Sequence, residues 1–338
     1  MKLIPIQQNG KRLKVDQEVE IEEKTFRDMG LAESDIEEFI RNYAEEVFEE
    51  ENLFIVGQQV QNSGKGYSDL VAIDENGNIV LIEIKRDLDD IRRRREKFEY
   101  QAIRYAASLA KISTPLELVD LIFGRYIEAN RDSFQLGDLT AREKGLRLIN
   151  SFLEENDAQK SFNKKQRIIL IASEFDSQTE SAVAWLVSNN VDISCFTISP
   201  VELNGQLFIQ ADRTLPPPAL EDFYVEVASA PSYGNGRTEM KARIVRNKLP
   251  KMDKLFDWGI VEPGDVLHIK NRKGEKGVAV DPKYVEVDGE KLTYHEWGKK
   301  VTGWSSVQTY AMIVKEAEDK TLSELRAEKM DQLEREKE

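Results

Sequence analysis

The stretch from Tyr67 to Lys85 constrains this chain more than any other. Leu70 to Ile73 and Ile79 to Ile84 are short, apolar, β-branched runs of strand length. Between them, Asp74-Glu75-Asn76-Gly77 reads as a tight turn. Two registers compete. A two-residue Asn-Gly turn pairs position 75 with 78, and so sets 69 opposite 84. A three-residue loop, a type I turn with Gly77 in the left-handed region, pairs 74 with 78, and so sets 69 opposite 83. Opposed side chains share a face, and a slip of one residue flips it. Only the three-residue loop gathers Asp69, Glu83 and, two residues on, Lys85 at one edge of the sheet. We adopt that register.

Two neighbouring carboxylates repel, and each raises the other's pKa unless a cation sits between them. A hard divalent cation with oxygen ligands, Mg²⁺ or Mn²⁺, suits such a pair. A lysine beside it can orient a water or offset charge on a phosphate. That is equipment for phosphodiester hydrolysis. The plainer alternative is a charged, solvated face on an edge hairpin. Against it, Glu83 and Lys85 interrupt a strongly apolar strand, where charge is costly unless paired.

Asp69, then Glu83 fourteen positions later, then Lys85 after one residue, resembles the signature of the PD-(D/E)XK nucleases. Ser68 stands where the signature has proline. The segment is similar to the RecB-like and NucS-like branch, in which the helix after the lysine strand carries Gln-x-x-x-Tyr. This chain has Gln101-Ala-Ile-Arg-Tyr105. The resemblance covers residues 33–109 and continues more weakly to about Pro216. It implies a restriction-endonuclease-like fold, with Mg²⁺ or Mn²⁺ held by Asp69, Glu83, the Ile84 carbonyl and Glu37, the last directly or through water. It also implies that Lys85 orients the attacking water and that Gln101 and Tyr105 support the site.

The chain has 338 residues, enough for two domains. No apolar run approaches a membrane span and no signal peptide is evident, so a cytoplasmic protein without a membrane partner is expected. One cysteine, Cys195, excludes a disulfide or zinc-thiolate site, and two histidines make a histidine-metal site a poor fit. A net charge of −14 argues against a nucleic-acid partner, because phosphate contacts want Lys and Arg. The charge is uneven, however. Residues 1–220 carry −12, whereas residues 237–315 carry +5. The second stretch would supply much of any DNA affinity.

Along the chain, Leu3 to Ile6 and Val19 to Ile21 suggest an edge hairpin or arm. An amphipathic helix starts at Ser34, with Ile36, Phe39, Ile40, Tyr43, Val47 and Phe48 at helical spacing. Ser34-Asp-Ile-Glu37 reads as a capping box, which competes with the metal role for Glu37; Glu33 and Glu38 are substitutes for that role. Leu53 to Val60 reads as the first strand, and 62–66 as a loop. Arg92 to Arg95 form a run that either clamps phosphate, with Arg93 and Arg94 as candidate DNA contacts, or is a solvated helix face paired to nearby acids. Gln101 and Tyr105 share a helix face, toward either the hairpin or solvent. Helices follow over 115–160, then a strand at Arg167 to Ser173, a helix at Thr179 to Val187 and a strand at Val191 to Ile198. That order implies a right-handed parallel crossover. Cys195 reads as a core residue.

Leu215-Pro-Pro-Pro and the Ser/Pro/Gly/Asn-rich run to Gly236 punctuate the pattern. The expected organisation is a first domain over 1–218, a linker over 219–236, a second domain over 237–328 and a charged tail over 329–338. The fold class is therefore α/β: an N-terminal mixed sheet flanked by helices, then a small α+β domain. In the second domain, Gly259, Gly264-Asp-Val-Leu267, the Asp288-Gly289 turn, Thr302-Gly-Trp304-Ser-Ser and Thr321-Leu-x-x-Leu-Arg326 resemble a RAMA domain, a module thought to read DNA. Gln308 stands where that block often has asparagine. A helix is expected at Leu292 to Val301. Trp297, Trp304 and Tyr310 are either core or, if exposed beside Lys299 and Lys300, stacking surfaces for a base.

The expectation is a metal-dependent endodeoxyribonuclease acting on DNA, of restriction or defence type and selective for modified DNA, working as a homodimer. The alternatives are a structure-specific repair endonuclease and a DNA-binding adaptor that does not cut.

Overall fold

The computed structural model describes residues 6–9, 12–15, 21–48, 51–61, 66–93, 96–134, 136–217 and 249–335. The chain divides into two compact units. The first comprises residues 1–47 with 54–216, and the second 48–53 with 217–338. The expected linker over 219–236 lies outside the described residues.

In the first unit, β1 (Ile6–Asn9) and β2 (Arg12–Val15) form an antiparallel hairpin of their own. Of the two apolar stretches expected there, only Ile6 and Ile21 fall within described residues. The main sheet has seven strands. Its members are β3 (Ile21–Glu23), β4 (Leu53–Gln61), β5 (Tyr67–Asp74), β6 (Ile79–Ile84), β7 (Gln166–Ala172), β8 (Ile193–Leu203) and β9 (Gln206–Leu215). The order is β3-β8-β7-β6-β5-β4, with β9 on β8. β5 and β6 are antiparallel, whereas β6, β7 and β8 run parallel, so the sheet is mixed. All of β6 is buried between β5 and β7, which explains its apolar run from Ile79 to Ile82. β9 was not expected from the sequence. It returns antiparallel along β8 through Asn204 and Gly205, both with positive φ.

The β5–β6 turn follows the three-residue scheme. Gly77 N–H donates to the Asp74 carbonyl at 2.9 Å, and Gly77 has φ 79°. The Asp74 carboxylate accepts from the Asn76 and Asn78 N–H groups at 3.0 and 2.9 Å, as an Asx turn does. Leu70 pairs with Ile82 and Ile73 with Ile79, the register in which the next pair outward is Asp69 with Glu83.

Of the helices α1 (Glu33–Asn42), α2 (Ala44–Val47), α3 (Leu88–Arg92) and α4 (Phe98–Leu109), α1 lies against β5 and β6, and α4 against β6 and β7. Then come α5 (Pro115–Leu118), a π-helical turn (Val119–Phe123), α6 (Gly124–Ala129), α7 (Arg131–Phe134), α8 (Ala141–Glu155) and, between β7 and β8, α9 (Ser177–Ser188). Phe54 joins β4 to this layer by stacking on Phe152 and meeting Phe123 edge-on, with centroids 5.6 and 5.3 Å away. Cys195 is fully buried, as expected.

The Ser34 capping box does not form. α1 begins one residue earlier, and the Asp35 carboxylate accepts from the Ala32 N–H at 2.8 Å. Asp35, not Glu37, therefore closes the helix end, and Glu37 is left to point inward, where it is buried.

The second unit contains α10 (Met252–Asp257), β10 (Val266–Ile269), β11 (Arg272–Ala279), β12 (Tyr284–Val287), β13 (Glu290–Thr293), α11 (Tyr294–Thr302), α12 (Thr309–Met312), β14 (Ile313–Lys315), β15 (Lys320–Thr321) and α13 (Leu322–Arg335). Six strands form an antiparallel sheet in the order β13-β12-β11-β10-β14-β15. Asp288 and Gly289, both with positive φ, make the expected β12–β13 turn. The expected helix from Leu292 starts two residues later: Leu292 belongs to β13, and Thr293 caps α11 by accepting from the Glu296 N–H. α13 extends to Arg335, so most of the expected charged tail is helical. Among the described residues, no helix is long and apolar enough to cross a membrane.

Candidate active site

The open end of the β5–β6 hairpin gathers charge inside an apolar shell. Glu83 is 0 % exposed and Lys85 1 %. The Lys85 ammonium lies 3.7 Å from Asp69 Oδ2 and 3.3 Å from Glu33 Oε2, and 5.4 Å from the centre of the Phe98 ring. It also donates to the Ile84 carbonyl. A buried ammonium is tolerable only with such partners. Asp69 Oδ2 accepts from the Ile84 N–H at 2.7 Å, which fixes the carboxylate across the mouth of the hairpin.

α4 supplies the next layer. Gln101 Nε2 donates to Glu83 Oε2 at 3.2 Å. Gln101 and Tyr105 are both buried, so their shared helix face is turned inward rather than to solvent. Gly66 accommodates the tyrosine: a Cβ built there would overlap the Tyr105 hydroxyl.

α1 and β4 close the other side. Gln59 Nε2 donates to Glu37 Oε2 at 2.6 Å and approaches Asp69 Oδ1 at 3.4 Å. Glu37 Oε1 is buried and accepts no hydrogen bond. Burial holds the Glu37 carboxyl above its usual range; the amides of Gln59 and Gln58 pull it down, while the charges of Asp69 and Glu38 push it up. Of the substitutes for Glu37, Glu33 enters the site through Lys85. Glu38 turns instead to Arg41, which lowers its carboxyl to about 2.

The donor set fits a hard cation. It is all oxygen, it holds a buried Glu37 oxygen with no hydrogen-bond donor, and Gln59 already draws Glu37 and Asp69 toward one point. As placed, no three His, Cys, Asp or Glu side chains among the described residues close into a ready-made metal cage. The Ile84 carbonyl, implied as a further ligand, accepts from Lys85 here; the ammonium would have to swing aside to release it.

Sequence reasoning missed Gln59, Gln58 and the pairing of Glu33 with Lys85. Glutamines in a strand carry no signal of their own. What brings them in is the left-handed backbone of Gln59, φ 46°, a local irregularity of β4. The remaining candidates lie elsewhere. Arg93 pairs with Asp89 at 2.9 Å, as a solvated helix face does, and Arg94 lies outside the described residues. In the second unit Trp297 is 0 % and Trp304 4 % exposed, so both are core, and the condition for Trp304 to stack on a base is not met. Tyr310 lies under the Arg326 guanidinium at 4.3 Å. Lys300 pairs with Glu290 at 2.7 Å, and Lys299 is half-buried.

No protein-family model, curated protein or solved structure matches this chain.

Proposed function

We propose that this chain is a metal-dependent endodeoxyribonuclease whose first unit hydrolyses DNA phosphodiester bonds. The observation that carries the reading is the buried Lys85 ammonium. It is set between Asp69 and Glu33, at the hairpin end where Gln101 holds Glu83. A purely structural lysine gains little from such a place, because a buried ion pair rarely repays its desolvation.

Asp69, Glu83 and Glu37 would hold Mg²⁺ or Mn²⁺. When bound, the metal supplies Lewis acidity and lowers the pKa of a water. Lys85 orients the attacking water and offsets charge that develops on the phosphate. Gln101 fixes the Glu83 carboxylate, and Gln59 holds Glu37 near Asp69. In this reading the second unit, similar to a RAMA domain and basic over 237–315, contributes DNA affinity. The burial of Trp297 and Trp304 moves any base contact away from those rings. A restriction or defence role on modified DNA, and a homodimer that presents two sites to a duplex, belong to the same proposal.

The test is cleavage of modified and unmodified plasmid with Mg²⁺ or Mn²⁺, wild type beside Lys85→Ala. Cutting of modified plasmid alone, lost in the variant, supports both the chemistry and the role of the second unit. Equal cutting of both keeps the nuclease and drops modification selectivity. Cutting by the variant at the wild-type rate rejects the site.

A further inference from the structure

We propose that a cleft between β4 and the π-helical turn, continuing onto α6, binds a nucleotide. The base would lie against Leu121 and the phosphate on Arg125. The cleft has a volume of about 450 Å³ and is lined by residues 57–61, 121–122, 125–126 and 129–130, all of the first unit.

Two backbone irregularities meet at this cleft. Gln59 has φ 46°, and every other described non-glycine residue with positive φ is Asn or Asp. A glutamine in that region, within a strand, is strained. Opposite it, Val119–Phe123 is a π-helical turn, a rare form that recurs at functional sites. Gly57 lets the two walls close on each other: a Cβ there would lie 2.6 Å from Ile122 Cγ2 and 2.7 Å from Val60 Cγ2.

The lining chemistry selects the ligand class. Leu121 is 55 % exposed, an apolar surface suited to the face of a base. Gln61 and Asn130 carry amides that can pair with the edge of a base, whereas Gln58 and Gln59, whose amide nitrogens donate to Glu37, offer a ligand their acceptor oxygens. Asn130 spends one amide N–H on the Tyr126 carbonyl, which leaves its other N–H and its acceptor oxygen for a ligand. Arg125 is the one charged residue of the lining. Neighbouring arginines are neutralised: Arg131 by Glu128, Arg142 by Asp120 and Arg41 by Glu38. Among the described residues Arg125 has no such partner, although residues 1–220 carry a charge of −12. An exposed, unneutralised guanidinium beside an apolar shelf and several amides matches phosphate, base face and base edge in turn. Gln59 belongs to both places, since its amide also reaches Glu37 and Asp69.

The inference does not rest on the nuclease reading. A free nucleotide and an unpaired nucleotide within a strand carry the same chemistry. The experiment titrates the full chain, without divalent metal, with each of the four deoxynucleoside monophosphates, their unphosphorylated nucleosides and a short single-stranded oligonucleotide. Heat of binding is recorded for wild type, Arg125→Glu and Leu121→Asp. Both side chains are exposed, so folding is preserved, and circular dichroism checks it. Binding is expected to weaken about tenfold or more in Arg125→Glu and on removal of the phosphate, as loss of one charge-assisted contact would do, and to weaken also in Leu121→Asp, which sets a carboxylate where the base would lie. Dependence on both residues for the monophosphate points to a free nucleotide; the same dependence for the oligonucleotide alone points to a strand. Absence of binding by every probe, or binding unchanged in both variants, overturns the proposal. Cleavage is not read, so failure of the nuclease reading leaves this result standing.

Discussion

The Gln59 amide nitrogen stands 2.6 Å from Glu37 Oε2 and ties strand β4 to helix α1 through a strained residue. The contact satisfies one oxygen of a buried carboxylate whose other oxygen has no donor. Replacing Gln59 by Leu removes that donor and leaves the buried carboxylate only the Gln58 amide, at a cost of about 1–3 kcal/mol. Gln59→Gly loses the same bond but relieves the left-handed backbone, which is worth about 1 kcal/mol. Urea denaturation should therefore rank wild type above Gln59→Gly and Gln59→Gly above Gln59→Leu. Equal loss in both variants would mean that the backbone there is unstrained.

Glu37 makes stability depend on pH. Its carboxyl is raised above the ordinary value of 4.5 by burial, so the fold favours the protonated form. That contribution is complete below the ordinary value and is lost as pH rises through the raised one. In metal-free protein, Glu37→Gln should be more stable than wild type near pH 8, and the gain should shrink toward pH 4. Chemical denaturation at the two values checks this; a difference that does not change with pH refutes it.

Lys85 and Glu33 separate chemistry from support. Under the proposed function, Lys85→Ala lowers the cleavage rate by about 100-fold or more, the usual loss when one charge-stabilising group is removed. Glu33→Gln keeps a polar partner beside the ammonium and should cost less than about tenfold. Initial rates on supercoiled plasmid decide between them. A larger loss in Glu33→Gln than in Lys85→Ala would exchange the two roles.

Asn163 is the buried clamp between the end of α4 and the start of β6. Its side chain donates to the carbonyls of Leu109 and Ile112 at 3.0 and 2.7 Å and accepts from the Ile79 N–H at 3.3 Å. Asn163→Ala leaves those groups buried without it, at a cost of about 2–3 kcal/mol. Thermal or urea melts measure the loss, and a change below about 0.5 kcal/mol would show that the clamp carries no weight.

Cys195 should be chemically silent. It is fully buried, and burial pushes its thiol up to about 12. A thiol reagent should leave the native chain untouched and label one site once the chain unfolds. Rapid labelling of native protein would place Cys195 at an accessible surface.

Much of this architecture is local chemistry. Asp74 can fold its carboxylate back on its own turn, and Gly77 can take positive φ. Those two residues select the hairpin register, and with it the approach of Asp69, Glu83 and Lys85. The buried-type strand at 167–173, the helix after it and the parallel strand that follows were legible for the same reason, since apolar runs of strand length alternate with helical periodicity. The missing β9 and the shifted start of α1 mark the limit of local reading. β9 has an exposed or half-buried pattern with no core face to announce it. Ser34 offered a good cap, but Asp35 offered another one residue away.

Sequence by itself determined the mixed α/β organisation, the turn, and which acids and which lysine stand at its open end. These follow from backbone preferences and from the period of the apolar residues, which act over a few positions. Tertiary structure alone decided that Gln59 joins Glu37 to Asp69, that Glu33 rather than Glu38 meets Lys85, and that Trp297 and Trp304 fill the core of the second unit. Each depends on where one element docks against another. The side chains involved have no periodicity to reveal a partner tens of residues away, and the cost of burying their charges and polar atoms settles the pairing only once the elements have packed.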